Sequence, residues 1–147
     1  MEEIFSALVN IEGQEYRVQI LDTAGEDDYQ GMMEMWISFG EGFLLVFAIN
    51  DAESFEIIKN KHERVLKGKR GVKFPMILVG NKQDLEKDRT VTYDEAKQLA
   101  DSWGIEYIET SAKYNLNCKE TFEKIVQNTV NFKKLSKTNK RSLCNII

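Results

Sequence analysis

The chain has 147 residues, which suits a single domain with a sizeable hydrophobic core. Hydrophobic residues make up 42% and charged residues 30% of it, a balance that excludes a disordered or fibrous chain. The longest apolar run, residues 43–49, is too short to cross a bilayer. The acidic start Met1-Glu2-Glu3 predicts no secretory signal peptide. The two cysteines are too few for a disulfide framework.

The net charge of −4 is distributed unevenly along the chain. Residues 132–147 carry five basic residues and no acidic one, whereas the other 131 residues carry 15 basic and 24 acidic residues. An acidic body disfavours a nucleic-acid-binding domain. A basic tail is typical of a segment that binds an anionic surface, and a solvated terminus can have the same composition. The five bases are Lys133, Lys134, Lys137, Lys140 and Arg141.

The chain begins with a predicted hairpin, followed by two buried strands. Apolar residues between 5 and 11, a Glu12-Gly13 turn and alternation over residues 16–20 predict an antiparallel hairpin. Residues 42–49 and 75–79 are almost continuously apolar, which is typical of parallel strands that are buried on both faces.

Helical patterns separate these strands. Asp51 can cap a helix whose polar side includes His62. Thr92 and Glu95 form a capping box for a second helix, which ends at Gly104, and a last helix begins near Asn117. Strands that alternate with helices predict an α/β doubly wound domain with a mostly parallel sheet and an antiparallel N-terminal edge hairpin.

Three polar loops follow predicted strands, at the edge where α/β sheets bind ligands. They are Asp22-Thr23-Ala24-Gly25-Glu26, Asn81-Lys82-Gln83-Asp84 and Glu109-Thr110-Ser111-Ala112-Lys113. Each loop alone is compatible with an ordinary turn. The three together, in this order, indicate a functional edge.

The loops resemble the motifs Asp-Thr-Ala-Gly, Asn-Lys-x-Asp and Glu-Thr-Ser-Ala-Lys of the Ras-like small GTPases, and residues 40–49 resemble the Ras subfamily. The resemblance covers residues 1–131 as a partial G domain, followed by a basic tail over residues 132–147. It implies a P-loop GTPase fold that binds GTP or GDP with Mg²⁺, hydrolyses GTP and switches with the nucleotide. It also implies effector, exchange-factor and GTPase-activating protein partners, no nucleic-acid partner, and a place at the cytoplasmic face of the plasma membrane.

The resemblance assigns guanine recognition to the second and third loops. Asp84 would accept hydrogen bonds from the guanine ring N–H and the exocyclic amine, a pair of donors that adenine lacks. Asn81 would bond the other edge of the base, and the backbone N–H of Ala112 would meet the guanine oxygen. Lys82 and Lys113 would lay their alkyl stems along the faces of the base. The implied base-binding set is Asn81, Lys82, Asp84, Ser111, Ala112 and Lys113.

The resemblance assigns phosphate and metal chemistry to the first loop. Asp22 would hold Mg²⁺ through water, and the Gly25 N–H would bond the γ-phosphate. Where the family most often has a water-orienting glutamine, this chain has Glu26. A carboxylate accepts from the attacking water but cannot donate to phosphate oxygens, so hydrolysis can differ in either direction. Residues 23–38 would form the second nucleotide-dependent switch.

No Gly-x-x-x-x-Gly-Lys-Ser/Thr sequence occurs in the 147 residues. In the family this phosphate loop belongs to an initial strand–loop–helix unit, and Met1 aligns just beyond that unit. The missing strand would lie between the strands at 15–21 and 42–49, so each of these would expose a row of unpaired backbone groups. We therefore expect an incomplete chain that folds poorly and binds nucleotide poorly on its own.

The terminal sequence Cys144-Asn145-Ile146-Ile147 resembles a C-a-a-X prenylation box. After a Ras-like domain and a polybasic stretch, it predicts lipidation of Cys144 and attachment to an anionic membrane. Ile147 leaves farnesyl and geranylgeranyl transfer both open.

Two other functions are weighed against a GTPase switch. A non-enzymatic, lipid-anchored interaction module that has lost phosphate binding would lack the phosphate loop as this chain does. A P-loop ATPase is disfavoured, because Asn81 and Asp84 suit guanine. The coding sequence upstream of Met1 would separate an incomplete GTPase from a module without phosphate binding.

Overall fold

The computed structural model describes residues 3–22, 30–135 and 143–146. Within them, the predicted strands and helices occur in the predicted order, and a helix at Gln30–Phe39, a short 3₁₀ helix and a strand at Leu143–Ile146 are present that the sequence did not predict. The elements are β1 Glu3–Ile11, β2 Gln14–Asp22, α1 Gln30–Phe39, β3 Phe43–Ala48, α2 Ala52–Gly68, β4 Met76–Asn81, a 3₁₀ helix Gln83–Asp88, α3 Tyr93–Trp103, β5 Glu106–Glu109, α4 Cys118–Leu135 and β6 Leu143–Ile146.

The chain clusters into two compact units. The first contains β1, β2, α1, β6 and most of α4, and the second contains β4, β5, α3 and most of β3. None of the helices in the described ranges has both the length and the apolar character that a bilayer crossing requires.

The predicted N-terminal hairpin is confirmed. β1 and β2 pair antiparallel from Glu3 opposite Asp22 to Ile11 opposite Gln14. Glu12 and Gly13 both have positive φ, 53° and 83°, as expected of the turn whose twist matches a two-residue hairpin.

β6 lies on the other side of β2 and pairs with it in parallel. The register places Arg17 opposite Leu143 and Ile20 opposite Ile146. The prediction that this edge of β2 would expose unpaired backbone groups is therefore wrong over residues 17–20.

The second sheet has the strand order β3-β4-β5 and is parallel. β4 and β5 pair in parallel. The Phe43 N–H donates to the Pro75 carbonyl at 3.0 Å and the Ile49 N–H to the Asn81 carbonyl at 3.1 Å, so the contacts of β3 advance in the same direction along both segments. Five of the six β4 residues are buried, which confirms the predicted strand with two covered faces and the α/β class.

The start and end of α3 follow the sequence signals. Thr92 Oγ1 accepts from the Glu95 N–H at 3.1 Å, and the Glu95 carboxylate accepts from the Thr92 N–H at 3.0 Å. Gly104 ends the helix with φ 71°, a left-handed conformation that glycine adopts without strain.

His62 on α2 does not lie on the polar side. It is 5% exposed and stacks on Trp103 with 3.8 Å between ring centroids. Positions 58, 62 and 65 share one helix face, and Ile58 and Val65 are both buried. The helical period therefore places His62 on the apolar stripe, and its predicted position is wrong.

Two of the five bases assigned to the tail belong to α4, which continues to Leu135. Lys133 Nζ lies 2.9 Å from a Glu41 carboxylate oxygen, and its side chain is 10% exposed. Lys134 forms an exposed pair with Glu12 at 3.4 Å. Lys137, Lys140 and Arg141 lie outside the described residues.

Candidate functional site

The second and third polar loops leave the sheet side by side. β4 and β5 are paired so that Gly80 lies opposite Glu109; the second loop begins at the next residue, Asn81, and the third begins at Glu109 itself. A β-carbon on Gly80 would collide with the Tyr107 hydroxyl and lie 3.2 Å from Ile49 Cγ2. The absence of a side chain at Gly80 therefore lets Tyr107 pack against the strand that leads into the second loop.

A hydrogen bond joins the two loops through Asp84 and Ser111. Ser111 Oγ donates to Asp84 Oδ1 at 2.7 Å. The same hydroxyl accepts from the Tyr114 N–H at 3.2 Å, and Ser111 is 0% exposed. Because its acceptor side is taken by Tyr114, the hydroxyl is held as a donor to Asp84. One carboxylate oxygen is thus anchored, and among the described residues the second has no donor.

A second cross-link involves Asn81. Thr110 Oγ1 donates to Asn81 Oδ1 at 3.1 Å, and the Gln83 N–H donates to the Thr110 carbonyl at 3.0 Å. Because the side-chain oxygen of Asn81 accepts the hydrogen bond from Thr110, the side-chain amide nitrogen of Asn81 is the group that can donate to a ligand.

The other residues that the resemblance assigns to base binding, Lys82, Ala112 and Lys113, are exposed. Lys82 has a left-handed backbone, φ 64° and ψ 36°, at the start of the 3₁₀ helix. Ala112 and Lys113 lie in a turn that is closed by reciprocal backbone bonds between Ser111 and Leu116, at 3.1 and 2.9 Å. Lys82 and Lys113 therefore present their stems at the surface, where a flat ring can lie between or upon them.

An ion-pair network that the sequence did not reveal supports the third loop. Arg89 donates to both Glu109 carboxylate oxygens, at 2.9 and 2.7 Å, and the Tyr107 hydroxyl donates to one of them. Asn117 Nδ2 donates to the Glu109 carbonyl at 2.9 Å, which ties the end of the loop to its beginning. Arg89 and Glu109 are far apart in the chain, so no local pattern could have identified the pair.

The network shifts the pKa values of its members. Burial raises the pKa of Glu109, but the hydrogen bonds from Arg89 and Tyr107 outweigh it, and the net pKa is lowered. The hydrogen bond to Glu109 raises the pKa of Arg89. Burial, followed by the bond to Glu109, raises the pKa of Tyr107. All three groups are thereby fixed in one protonation state near neutral pH.

Asp22, the implied Mg²⁺ ligand, is the last residue of β2 and lies opposite Glu3. The described part of the chain contains no group of three acidic, histidine or cysteine side chains that could hold a metal ion. Mg²⁺ is commonly bound by one or two carboxylates together with phosphate oxygens and water. The exposed Asp22 fits that mode as a single ligand, and Gly25 and Glu26 lie outside the described residues.

Comparison with known proteins identifies the family of this chain. The model of the Ras family matches residues 1–131. The chain is 38% identical over 126 residues to the GTP-binding protein Rheb of Homo sapiens, which covers 86% of this chain and 68% of Rheb. It is 43% identical over 127 residues to Protein ras-1 of Neurospora crassa, which covers 86% of this chain and 60% of that protein.

It is also 44% identical over 115 residues to the Ras-related protein Ral-B of Mus musculus, with 78% of this chain and 56% of that protein covered. This chain belongs to the Ras family of small GTPases.

Proposed function

We propose that this chain recognises guanine through Asn81, Asp84 and the Ser111–Lys113 loop, and that it serves a GTPase switch whose state depends on GTP or GDP. The observation that carries the proposal is the Ser111–Asp84 hydrogen bond at 2.7 Å. It fixes a carboxylate at the edge of the sheet where α/β folds bind ligands.

A fixed carboxylate discriminates between purines. Guanine offers two adjacent donors, its ring N–H and its exocyclic amine, to an acceptor such as Asp84. Adenine lacks that pair, so its binding would leave a desolvated carboxylate without donors, at a cost of about 1–3 kcal/mol. The Ala112 N–H and the Asn81 amide supply donors for the acceptors on the other side of guanine, and Lys82 and Lys113 cover its faces.

Phosphate and metal binding require more than the described residues provide. Mg²⁺, when bound with the nucleotide, would neutralise phosphate charge, and Asp22 would hold the hydration shell of the ion. The Gly25 N–H would face the terminal phosphate, and the Glu26 carboxylate would face the attacking water. Asn50 follows β3, and its Oδ1 is a buried acceptor without a donor among the described side chains. Such an acceptor supports the idea that a further segment or ligand completes the domain.

The test is to complete the domain. A strand–phosphate-loop–helix segment taken from Rheb is fused ahead of residue 1, and GDP binding with Mg²⁺ is measured by calorimetry. We expect tight, Mg²⁺-dependent binding and GTP hydrolysis in single-turnover assays. The matched control is Asp84→Leu in the same fusion, which keeps the phosphate loop and should lose the preference for GDP over ADP. A fusion that binds GDP and ADP equally would contradict the proposal.

The alternative function is a non-enzymatic interaction module without phosphate binding, and one experiment separates it from the switch. Such a module would bind Ras-type effectors equally with and without nucleotide. Effector binding by the 147-residue chain is measured with GTP, with GDP and after chelation of Mg²⁺. Equal binding under all three conditions would favour the interaction module over the switch.

We also propose attachment to the cytoplasmic face of the plasma membrane through prenylated Cys144. One lipid gives only reversible binding, so a second signal is needed. With Lys133 and Lys134 in α4, that signal comes from Lys137, Lys140 and Arg141, each contributing roughly 1 kcal/mol near an anionic leaflet.

Cell fractionation tests this attachment. Cys144→Ser should move the protein to the soluble fraction, and Gln at positions 137, 140 and 141 should weaken its membrane binding. The matched control is Lys134→Gln, which removes an exposed base of α4 and should leave membrane binding unchanged. An unmodified Cys144, by mass spectrometry of the C-terminus, would contradict the lipid anchor.

A further inference from the structure

The turn that joins α2 to β4 is strongly basic. Residues 67–73, which we call the basic turn, lie in a stretch without acidic residues, 64–83, which is exceeded in length only by residues 124–147. Residues 1–131 as a whole carry 24 acidic and 15 basic residues, so the basic turn is a local exception in an acidic body. Its basic residues are Lys67, Lys69, Arg70 and Lys73.

Backbone hydrogen bonds give the basic turn a defined shape. The Gly71 N–H donates to the Leu66 carbonyl at 2.9 Å, and the Val72 N–H donates to the Lys69 carbonyl at 3.0 Å. Arg70 and Gly71 both have positive φ, 54° and 78°. Among the described residues, nothing lies within 4 Å of a β-carbon built on Gly71. The outer side of the turn is therefore open, and its backbone is held by its own hydrogen bonds.

The exposed side chains of the basic turn combine positive charge with an apolar tip. Lys67, Arg70 and Lys73 are exposed, and within the described part of the chain none of the three forms an ion pair. Val72 lies between two of them and is 50% exposed. Three cations without counter-charges around an exposed apolar side chain suit a surface of anionic headgroups above hydrocarbon.

The basic turn lies beside the end of α4, where the tail begins. The ring of Phe74, the residue after the turn, packs against the Phe132 ring with 4.8 Å between centroids. α4 ends at Leu135, less than one helical turn beyond Phe132. Both segments belong to the first compact unit. Lys133 and Lys134 of α4 are each paired with a glutamate, so near this point the basic turn supplies the positive charge that is not already neutralised.

We propose that the basic turn is a second membrane contact, which binds anionic lipid headgroups of the leaflet that holds the tail. The proposal rests on the proposed attachment of the tail. A tethered body stays at a high effective concentration near the leaflet, and its net negative charge repels most of its surface from anionic headgroups. The basic turn is attracted instead and orients the first unit with residues 67–73 toward the lipid. An acidic protein segment would match the charge, but the exposed Val72 and the neighbouring tail favour a membrane.

Vesicle binding of the unmodified 147-residue chain tests this surface without the lipid anchor. Sedimentation is measured with vesicles of about 30% phosphatidylserine in phosphatidylcholine, a composition with a negative surface potential. Each base near such a surface strengthens binding about fivefold. Lys67→Gln, Arg70→Gln and Lys73→Gln together should therefore weaken binding at least tenfold. A wild-type chain whose binding does not depend on phosphatidylserine overturns the proposal.

The matched control removes three bases that have acidic neighbours. It combines Lys59→Gln, Lys87→Gln and Lys97→Gln, which lower the net charge by the same amount as the changes in the basic turn. Binding of this control should fall less than twofold. Equal losses in the two triple variants would mean that net charge alone sets the affinity, and would overturn the proposal.

Paramagnetic broadening locates the contact in the unaltered chain. Nanodiscs with a spin-labelled headgroup should broaden the amide signals of residues 70–73 when they contain phosphatidylserine, and should not do so with phosphatidylcholine alone. Unbroadened signals at these residues overturn the proposal, whether or not the triple variant folds.

A polyglutamate peptide provides the test against a protein partner. If the changes at residues 67, 70 and 73 abolish binding to this peptide and leave vesicle binding intact, the surface fits an acidic segment and the membrane contact is wrong. An unmodified Cys144 in cells contradicts the lipid anchor, whereas the vesicle and nanodisc results decide the basic turn independently.

Discussion

Replacement of Gly80 by Ala should destabilise the protein through Tyr107. The new β-carbon would collide with the Tyr107 hydroxyl and lie 3.1 Å from Tyr107 Cζ and 3.2 Å from Ile49 Cγ2. The hydroxyl cannot withdraw freely because it donates to the Glu109 carboxylate. Overpacking of this kind costs about 1–3 kcal/mol, a substantial part of a total stability of about 5–15 kcal/mol.

A double-mutant cycle isolates the collision. Tyr107→Phe alone loses a hydrogen bond to a charged group, which is worth about 1.5–3 kcal/mol. In Gly80→Ala/Tyr107→Phe the hydroxyl that obstructs the methyl group is gone, so the double variant should be more stable than the sum of the single changes by about 1–2 kcal/mol. Urea unfolding of the four proteins gives the free energies of unfolding.

Gly104→Ala is the matched control for the cycle. Nothing lies within 4 Å of a β-carbon at Gly104, whose φ is 71°, so the change introduces backbone strain without a contact. Its effect should therefore add to that of Tyr107→Phe. Additivity between Gly80→Ala and Tyr107→Phe, within about 0.5 kcal/mol, would refute the assigned contact.

Three further predictions concern charge. Arg89→Met removes both guanidinium hydrogen bonds of Glu109, whose side chain is 13% exposed, and should lower the free energy of unfolding by about 3 kcal/mol. Because the Glu109 pKa is lowered, the loss of stability relative to wild type, measured in thermal melts, should be complete above pH 4.5 and should shrink as the pH falls below it. Burial lowers the pKa of His62 from 6.5, so the unfolded chain binds a proton at this histidine more readily than the folded chain does. Stability should therefore fall as the pH drops through 6.5. In thermal melts between pH 7.5 and 5, His62→Phe should abolish this loss of stability. In a chain completed with a phosphate loop, Glu26→Gln should increase the response of single-turnover GTP hydrolysis to a GTPase-activating protein, because an amide can both orient water and donate; an equal response from both forms would mean that position 26 does not have the transferred role.

The parts of the fold that were predicted correctly depend on local signals. The Glu12-Gly13 turn, the Thr92–Glu95 capping box and the Gly104 helix end each involve residues within a few positions of one another. Their physical causes, positive φ and the capping of helix ends, act over that same range. The α/β class likewise follows from uninterrupted apolar runs between helical patterns.

The features that were missed depend on the register of a helix or on distant partners. His62 is buried because α2 places it between Ile58 and Val65, which careful counting of the helical period could have shown. The Lys133–Glu41 pair joins residues that are far apart in the sequence, so composition alone assigned Lys133 to the basic tail. Nothing in the sequence of residues 143–146 indicates that they pair with β2.

The sequence predicted which residues of the candidate site lie together, but not the contacts that hold them in place. Asn81, Asp84 and Ser111 could be singled out because their motifs follow strands that end at one edge. The hydroxyl of Thr110, which fixes the orientation of Asn81, and the Arg89–Glu109 pair were not predicted. Both contacts require the parallel pairing of β4 and β5, and the relative placement of two strands is not encoded in either one alone.

Calorimetric titration of the 147-residue chain with GDP and ADP tests the central claim, that the second and third loops recognise guanine. We predict GDP binding weaker than about 10 μM, because the base contacts remain without a phosphate loop, and ADP binding at least tenfold weaker, a difference of about 1.4 kcal/mol. Sub-micromolar GDP binding would contradict the predicted need for a phosphate loop. Equal affinity for GDP and ADP would contradict the assignment of Asp84 and Ser111 to guanine recognition.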